Sequence, residues 1–277
     1  MTEPTIYEQL ARHDEARDRI VIIGGGTLSH VRSHLALAAP AFGSTARKLA
    51  QICDTEFMTA KVELALTKMA NAVNDQYFPS DIDSNRLVTN EDIRRYVVDT
   101  LLPDPRVKII FFSAAMCDFD GEAVQEGEPE VGIVAGKYAR RLSSSKPATM
   151  QLTPAYKIIS LIHLMRPDIF VVGFKTTAGE GREAQIKKAQ RLLGSGCNLV
   201  LANDIVTRNG LMVHKYGISP DYSDREVLLV RLVSLVRDLV YADVDDINTE
   251  PSPDKRWKSS DDYSLPRKTP KEGLNKV

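Results

Sequence analysis

The sequence predicts an α/β fold: a Rossmann-like parallel sheet with helices on both faces, in a single domain. Three observations lead there. Runs at Arg19–Ile23, Ile109–Ser113, Phe170–Phe174 and Leu199–Ala202 are apolar on successive residues, the mark of strands buried on both faces. Segments of helical period separate them. Each run stops on small or polar residues, as parallel strands do where their carboxyl ends deliver a ligand site.

The elements follow in order. Residues 1–18 hold an expected amphipathic helix over 5–17. The first strand runs into Gly24-Gly25-Gly26, where the backbone can turn tightly. Ser44–Cys53 reads as a helix with Ser44 or Thr45 as its cap. Lys61–Thr67 alternates like a strand, and 71–86 is turn-rich. Thr89 followed by Glu91 and Asp92 starts a helix reaching about Leu102. After the strand at Ile109, residues 119–146 read as a long loop, of the kind that is usually functional. Thr149–Leu152 is a short strand, Pro154–Met165 a helix, and Arg182–Gly194 a helix closed by Gly194 or Gly196. Val227–Val240 is a strongly apolar closing element. The domain is expected to span 19–247, with a polar, Pro-rich and flexible tail over 248–277.

Composition limits the function. Of the 277 residues, 43% are hydrophobic and 26% charged, which suits a globular chain. A net charge of −1 gives no bulk case for nucleic acid or an anionic membrane. Apolar runs fall far short of the roughly 20 residues that a spanning helix needs. Three widely spaced cysteines, Cys53, Cys117 and Cys197, suit reduced thiols in the cytoplasm better than a disulfide frame. They form no CxxC pair. His30 and His34 would share a face if their segment were helical, but no third metal ligand lies nearby.

The motifs are more specific as a set than singly. They are the turn Gly25-Gly26-Thr27 with Val31-Arg32, Ser113-Ala114-Ala115-Met116-Cys117-Asp118-Phe119, Arg141-Leu142-Ser143-Ser144, Thr153-Pro154 with Lys157-Ile158-Ile159, Val172-Gly173-Phe174-Lys175, and Ala202-Asn203-Asp204. In this order, from about Ile20 to Val240, the set resembles the phosphopantothenoylcysteine synthetase family of coenzyme A biosynthesis. The flavin-dependent decarboxylase often fused to that domain has no counterpart here.

The resemblance implies a ligase that uses CTP or ATP with Mg²⁺, small-molecule substrates and a homodimer. A carboxylate attacks the α-phosphate, and an amine then displaces the nucleotide to form an amide. It implies catalytic roles for Arg141, Asn203 and Asp118, with Arg141 standing where the family has a flap lysine. It implies nucleotide contacts from Gly25, Gly26, Thr27, Gly43, Ala115, Phe174, Lys175 and Asn203. Substrate contacts fall to Arg32, His34 and Asp204. The Gly24–Thr27 amides would face phosphate, Phe174 would stack on the base, and 119–146 would be a lid hinged at Gly136.

The chain departs from the family pattern at one stretch. Ala36 stands where the family has Asn, and Ala38-Ala39-Pro40 replace Ser-Ser-Gly, leaving only Gly43. Methyls and a proline ring supply no side-chain hydrogen bond, and proline lacks its N–H. Two other readings therefore stand beside the ligase. One is a diverged, non-catalytic nucleotide-binding or partner subunit. The other is an NAD(P)-dependent oxidoreductase, weakened because Ser29 occupies the position of a third fingerprint glycine.

Overall fold

The structure, a computed structural model, describes residues 16–72, 79–127 and 135–241. The helix expected over 5–17 lies almost wholly outside them, and the tail expected over 248–277 lies outside them. Contacts divide the chain after Tyr241.

Seven strands form the main sheet. They are β1 (Arg19–Gly24), β4 (Lys61–Leu66), β5 (Val107–Phe112), β8 (Phe170–Thr177), β9 (Leu199–Asp204), β10 (Gly210–His214) and β11 (Gly217–Ile218), in the spatial order β11-β10-β9-β8-β5-β1-β4. The first five are parallel, and β10 and β11 add an antiparallel edge. Every residue of β1 and β9 is buried, which explains their unbroken apolar runs. The chain steps outward from β1 to β4, then crosses back to β5 on the other side of β1. The order thus reverses between β1 and β5, and the crevice at their carboxyl ends is the place where such sheets hold ligands.

Helices cover both faces. On one side lie α1 (Ser44–Glu56) and α6 (Arg225–Tyr241). They are joined by Lys48–Glu226 at 3.2 Å and by an Arg225 Nη2 to Thr45 Oγ1 hydrogen bond of 2.6 Å. On the other side lie α3 (Asn90–Tyr96, continued by a π-helical turn over Val97–Leu101), α4 (Ile158–Met165) and α5 (Arg182–Gly194). They cover Val21, Ile23, Ile110, Phe112, Val171 and Val200. Each such side chain removed from water contributes about 1.5–3 kcal/mol. A single turn, α2 (Lys68–Asn71), is capped by Thr67. The helix expected from Thr89 is present, with a full capping box of Thr89 and Asp92.

Four expectations need correction. Helix α1 is capped by neither Ser44 nor Thr45; its N-cap is Gly43, in the left-handed region at φ 76, with no side-chain cap. A Cβ there would sit 2.8 Å from that of Ala70, so the sharp entry favours glycine twice over. Second, the condition under which His30 and His34 would share a helical face is not met. Their segment is a hairpin of β2 (Leu28–Arg32) and β3 (Leu35–Ala38), with His34 exposed at its turn. Third, 119–146 is not simply a loop. Phe119–Val124 is a strand, β6, paired antiparallel with β7 (Thr149–Pro154). Gly121 lies against Val31 and Leu37 of the first hairpin, where a Cβ would come within 2.8 Å of Val31, and Ala123 is buried, so alternation at β6 served packing. Fourth, Pro154 ends β7 instead of starting a helix, and α4 begins at Ile158.

Candidate functional site

The crevice is built on close backbone approach. A Cβ at Gly24 would lie 2.2 Å from the Ala46 Cβ, and one at Gly26 would lie 2.0 Å from the Ala39 carbonyl oxygen. Glycine at 24 lets α1 come down onto β1. Glycine at 26 lets residues 39–41 fold back over the turn.

That return narrows the expected phosphate contact of the Gly24–Thr27 amides. The Gly26 N–H donates to the Ala41 carbonyl at 2.8 Å and the Thr27 N–H to that of Ala115 at 3.0 Å. These amides are spent inside the chain. Ala115 is likewise committed, its N–H to Gly25 O at 2.9 Å. Thr27 is fully buried, and its hydroxyl donates to Asn90 Oδ1 at 2.6 Å. The free N–H groups at this edge are that of Gly25, which has no backbone partner among the described residues, and those of the first turn of α1, where Gly43 O accepts from Arg47 N and the preceding amides have no partner within the helix.

Strand alternation sorts the remaining candidates by face. A Cβ at Gly173 would meet Cys197 and Leu192 on the α5 side, so Lys175 and Thr177 point that way too, and Phe174 and Thr176 point towards α1 and α6. Asn203 sits beside Gly210, whose Cβ would meet Leu228 of α6. Ser113, Phe174, Thr176 and Asn203 therefore share the face of Gly24 and the α1 amino terminus. β1 and β9 are three strand spacings apart, about 14 Å, which is nucleotide-sized. Asn203 is 8% exposed, and its carboxamide has no partner among the described residues. Phe174 is half-buried. Burial lowers the pKa of Arg225, beside Thr45, from its ordinary value.

Other candidates are placed elsewhere. Lys175 lies on the opposite face from Phe174. Asp204, 1% exposed, accepts from Thr177 Oγ1 (2.8 Å), Glu180 N (3.0 Å), Val206 N and Thr207 N (both 2.9 Å). Those bonds, the Thr207 amide first, hold its carboxyl well below the usual carboxylate range. No oxygen is left for a substrate. Arg32, 1% exposed, donates to the carbonyls of Ala123 and Arg140, tying the first hairpin to the segment after residue 135. Gly136, at φ 90, donates its N–H to Val31 O in the same clasp. Arg141 is exposed. Asp118 is exposed and pairs with Lys157 at 2.6 Å; it caps no helix. Among the described residues no cluster of three His, Cys, Asp or Glu could hold a metal ion.

Sequence reading missed Arg225, and it missed Asn90 as more than a helix start. Only folding brings Arg225 to Thr45 and Asn90 to Cys117. The oxidoreductase reading loses its geometry. A dinucleotide fingerprint needs a helix directly after the glycine turn, and here a hairpin follows it.

This arrangement recurs in known proteins. A crystal structure of the DNA/pantothenate metabolism flavoprotein from Streptococcus pneumoniae superposes with TM-score 0.65 at 17% identity, over 81% of this chain and all of that one. The carboxyl-terminal domain of the coenzyme A biosynthesis bifunctional protein CoaBC superposes with TM-score 0.56 at 16% identity, over 82% and 97%. The chain has the CoaBC carboxyl-terminal-domain fold. A Cab2 variant in complex with phosphopantothenate-cysteine shares this fold at TM-score 0.53 and 13% identity, over 90% and 97%. In sequence, CoaBC of Thermococcus kodakarensis is 23% identical over 188 residues, 68% of this chain. The chain spans 41% of that protein's length. No family model matches. The α/β class and the divergent CoaBC-type resemblance expected from the motifs both hold.

Proposed function

We propose that this chain is a ligase that joins an acid, phosphopantothenate or a related carboxylate, to an amine, cysteine or a related one, through an acyl-nucleotide. The observation carrying it is the shared face at the carboxyl edge. Gly24, Ser113, Phe174 and Asn203 lie there with the uncapped start of α1, on a fold shared with CoaBC. In the first step the carboxylate oxygen bonds to the α-phosphorus of CTP or ATP, and the bond to the β-phosphate oxygen breaks, releasing pyrophosphate. In the second the amine nitrogen bonds to the acyl carbon, nucleoside monophosphate leaves, and the nitrogen loses a proton.

Negative charge builds on phosphoryl and carbonyl oxygens, so fixed donors are what this edge must supply. The α1 amides and Arg225 meet the phosphates, Phe174 stacks on the base, and Asn203 donates to the bound acyl-nucleotide. This reading keeps the catalytic roles that the resemblance gives to Arg141 and Asp118, both exposed, the latter paired with Lys157. Mg²⁺ fits as a passenger on the triphosphate oxygens, since the described residues offer no cluster to hold it. A homodimer is supported by β7, an uncharged strand whose six residues are all exposed, with Met150 and Leu152 among them.

One observation favours the non-catalytic reading: β3 presents Ala36 and Ala38, exposed methyls, where the ligases have polar groups. Incubation with CTP or ATP, Mg²⁺, phosphopantothenate and cysteine separates the two. Release of pyrophosphate with amide formation is expected. Nucleotide binding without either product would establish the non-catalytic reading.

A further inference from the structure

We propose that Asn90 is a positioning residue: it clamps the exit of β5 against the glycine turn of β1 and so keeps the nucleotide edge in shape. The proposal rests on the nucleotide-dependent reading above. The two segments flank the crevice where strand order reverses. As far as Ala115 they are held by backbone hydrogen bonds to Gly25 and Thr27. Beyond it, side chains take over. Asn90 Nδ2 donates to Cys117 O at 2.8 Å, and Asn90 Oδ1 accepts from Cys117 N at 3.1 Å. The same Oδ1 accepts from Thr27 Oγ1 at 2.6 Å, while Thr27 Oγ1 itself accepts from Cys117 N at 3.0 Å. The carboxamide thus meets both polar groups of Cys117 as a neighbouring strand would. A carboxamide carries donor and acceptor side by side, which a carboxylate, hydroxyl or methyl does not.

Helix α3 has no need of this residue. Thr89 and Asp92 complete its capping box, and asparagine is a poor helix former. An acid at the first helical position would suit the helix dipole. Asn90→Asp therefore separates the two roles: it keeps size and helix start but has nothing to donate to Cys117 O.

The test uses the full chain. Amide hydrogen exchange at Cys117 and the KM values for nucleotide and amine are measured for wild type and Asn90→Asp. Cys117 exchange should quicken and the nucleotide KM rise, each about tenfold, with the amine KM unchanged. General loosening would raise both KM values alike and overturns the proposal, as does wild-type exchange at Cys117. If the wild type turns over no nucleotide, the functional reading fails, and exchange alone decides the clamp. Should Asn90→Asp fail to fold, Thr27→Val removes the hydroxyl arm and is judged by the same readings.

Discussion

Asn203 and Asp204 are neighbours in one strand with opposite fates. Asp204 points to the α5 side, where its carboxylate is consumed by Thr177, Glu180, Val206 and Thr207. Asn203 points to the α1 and α6 side and keeps its carboxamide without a partner among the described residues. The same division runs along the whole carboxyl edge. On the α5 side Glu180 binds Lys188 and Arg182 binds Asp221 at 2.7 Å, so polar groups close a turn. On the other side Phe174, Thr176 and the first amides of α1 face the crevice. A sheet edge can therefore be structural on one face and available on the other, with a one-residue step separating them.

Truncating each of the two neighbours should set the faces furthest apart. Asp204→Ala leaves the Val206, Thr207 and Glu180 amides without their acceptor, and an unmade buried hydrogen bond costs more than a made one returns. A fall in melting temperature on the order of 10 °C is expected. Asn203→Ala should leave the melting temperature within a few degrees and raise the nucleotide KM about tenfold. Calorimetry and steady-state kinetics on the two variants decide. Reversed results would mean that the faces have been assigned the wrong way round.

Acid titration sharpens that contrast further. The folded Asp204 carboxyl is held below its ordinary value of about 3.9. Its stabilisation is then fully present above that value and is lost as the pH falls through the depressed folded value. Asp104 behaves in the same sense, lowered by its hydrogen bonds from Arg106 and Arg19. Stability should be level down to about pH 5 and decline below about pH 4. In Asp204→Asn the decline should be shallower. An equal slope in wild type and variant would show that this carboxylate does not drive acid unfolding.

How much of this was readable beforehand differs by level. Strands such as Arg19–Gly24 were legible because burial on both faces leaves an unbroken apolar run, here Ile20–Ile23. The Thr89 capping box was legible because its partners are three residues apart. The hairpins were not. Leu28–Arg32 and Phe119–Val124 carry Gly, His, Arg and Asp, and their pairing is set by contacts about 90 residues distant, such as Ser29 Oγ to Asp120 at 2.7 Å. The site was legible as a set of strand ends but not as a face. Motif order placed Phe174 and Lys175 together, and only the pleat separates them. The resemblance made Arg32 and Asp204 ligand contacts through their motifs, yet both are buried and bonded inside.

The smallest expected effect lies on the closed side. Gln185, 3% exposed near the start of α5, donates from Nε2 to Glu180 O at 3.1 Å. Among the described residues its Oε1 is the one side-chain polar atom wholly shielded from solvent and without a partner. A face that satisfies Asp204 so fully leaves this carbonyl oxygen unmet beside a cavity of about 180 Å³ bounded by Gly210, Leu211 and Asp221. Gln185→Met removes the unpaired oxygen and keeps the volume, at the cost of one hydrogen bond to Glu180. The two terms are each about 1 kcal/mol and oppose one another. The melting temperature should move by less than about 3 °C, in either direction, with nucleotide KM unchanged. A loss as large as that of Asp204→Ala would show that Oε1 is satisfied, by water in the cavity, and that the α5 side closes without exception.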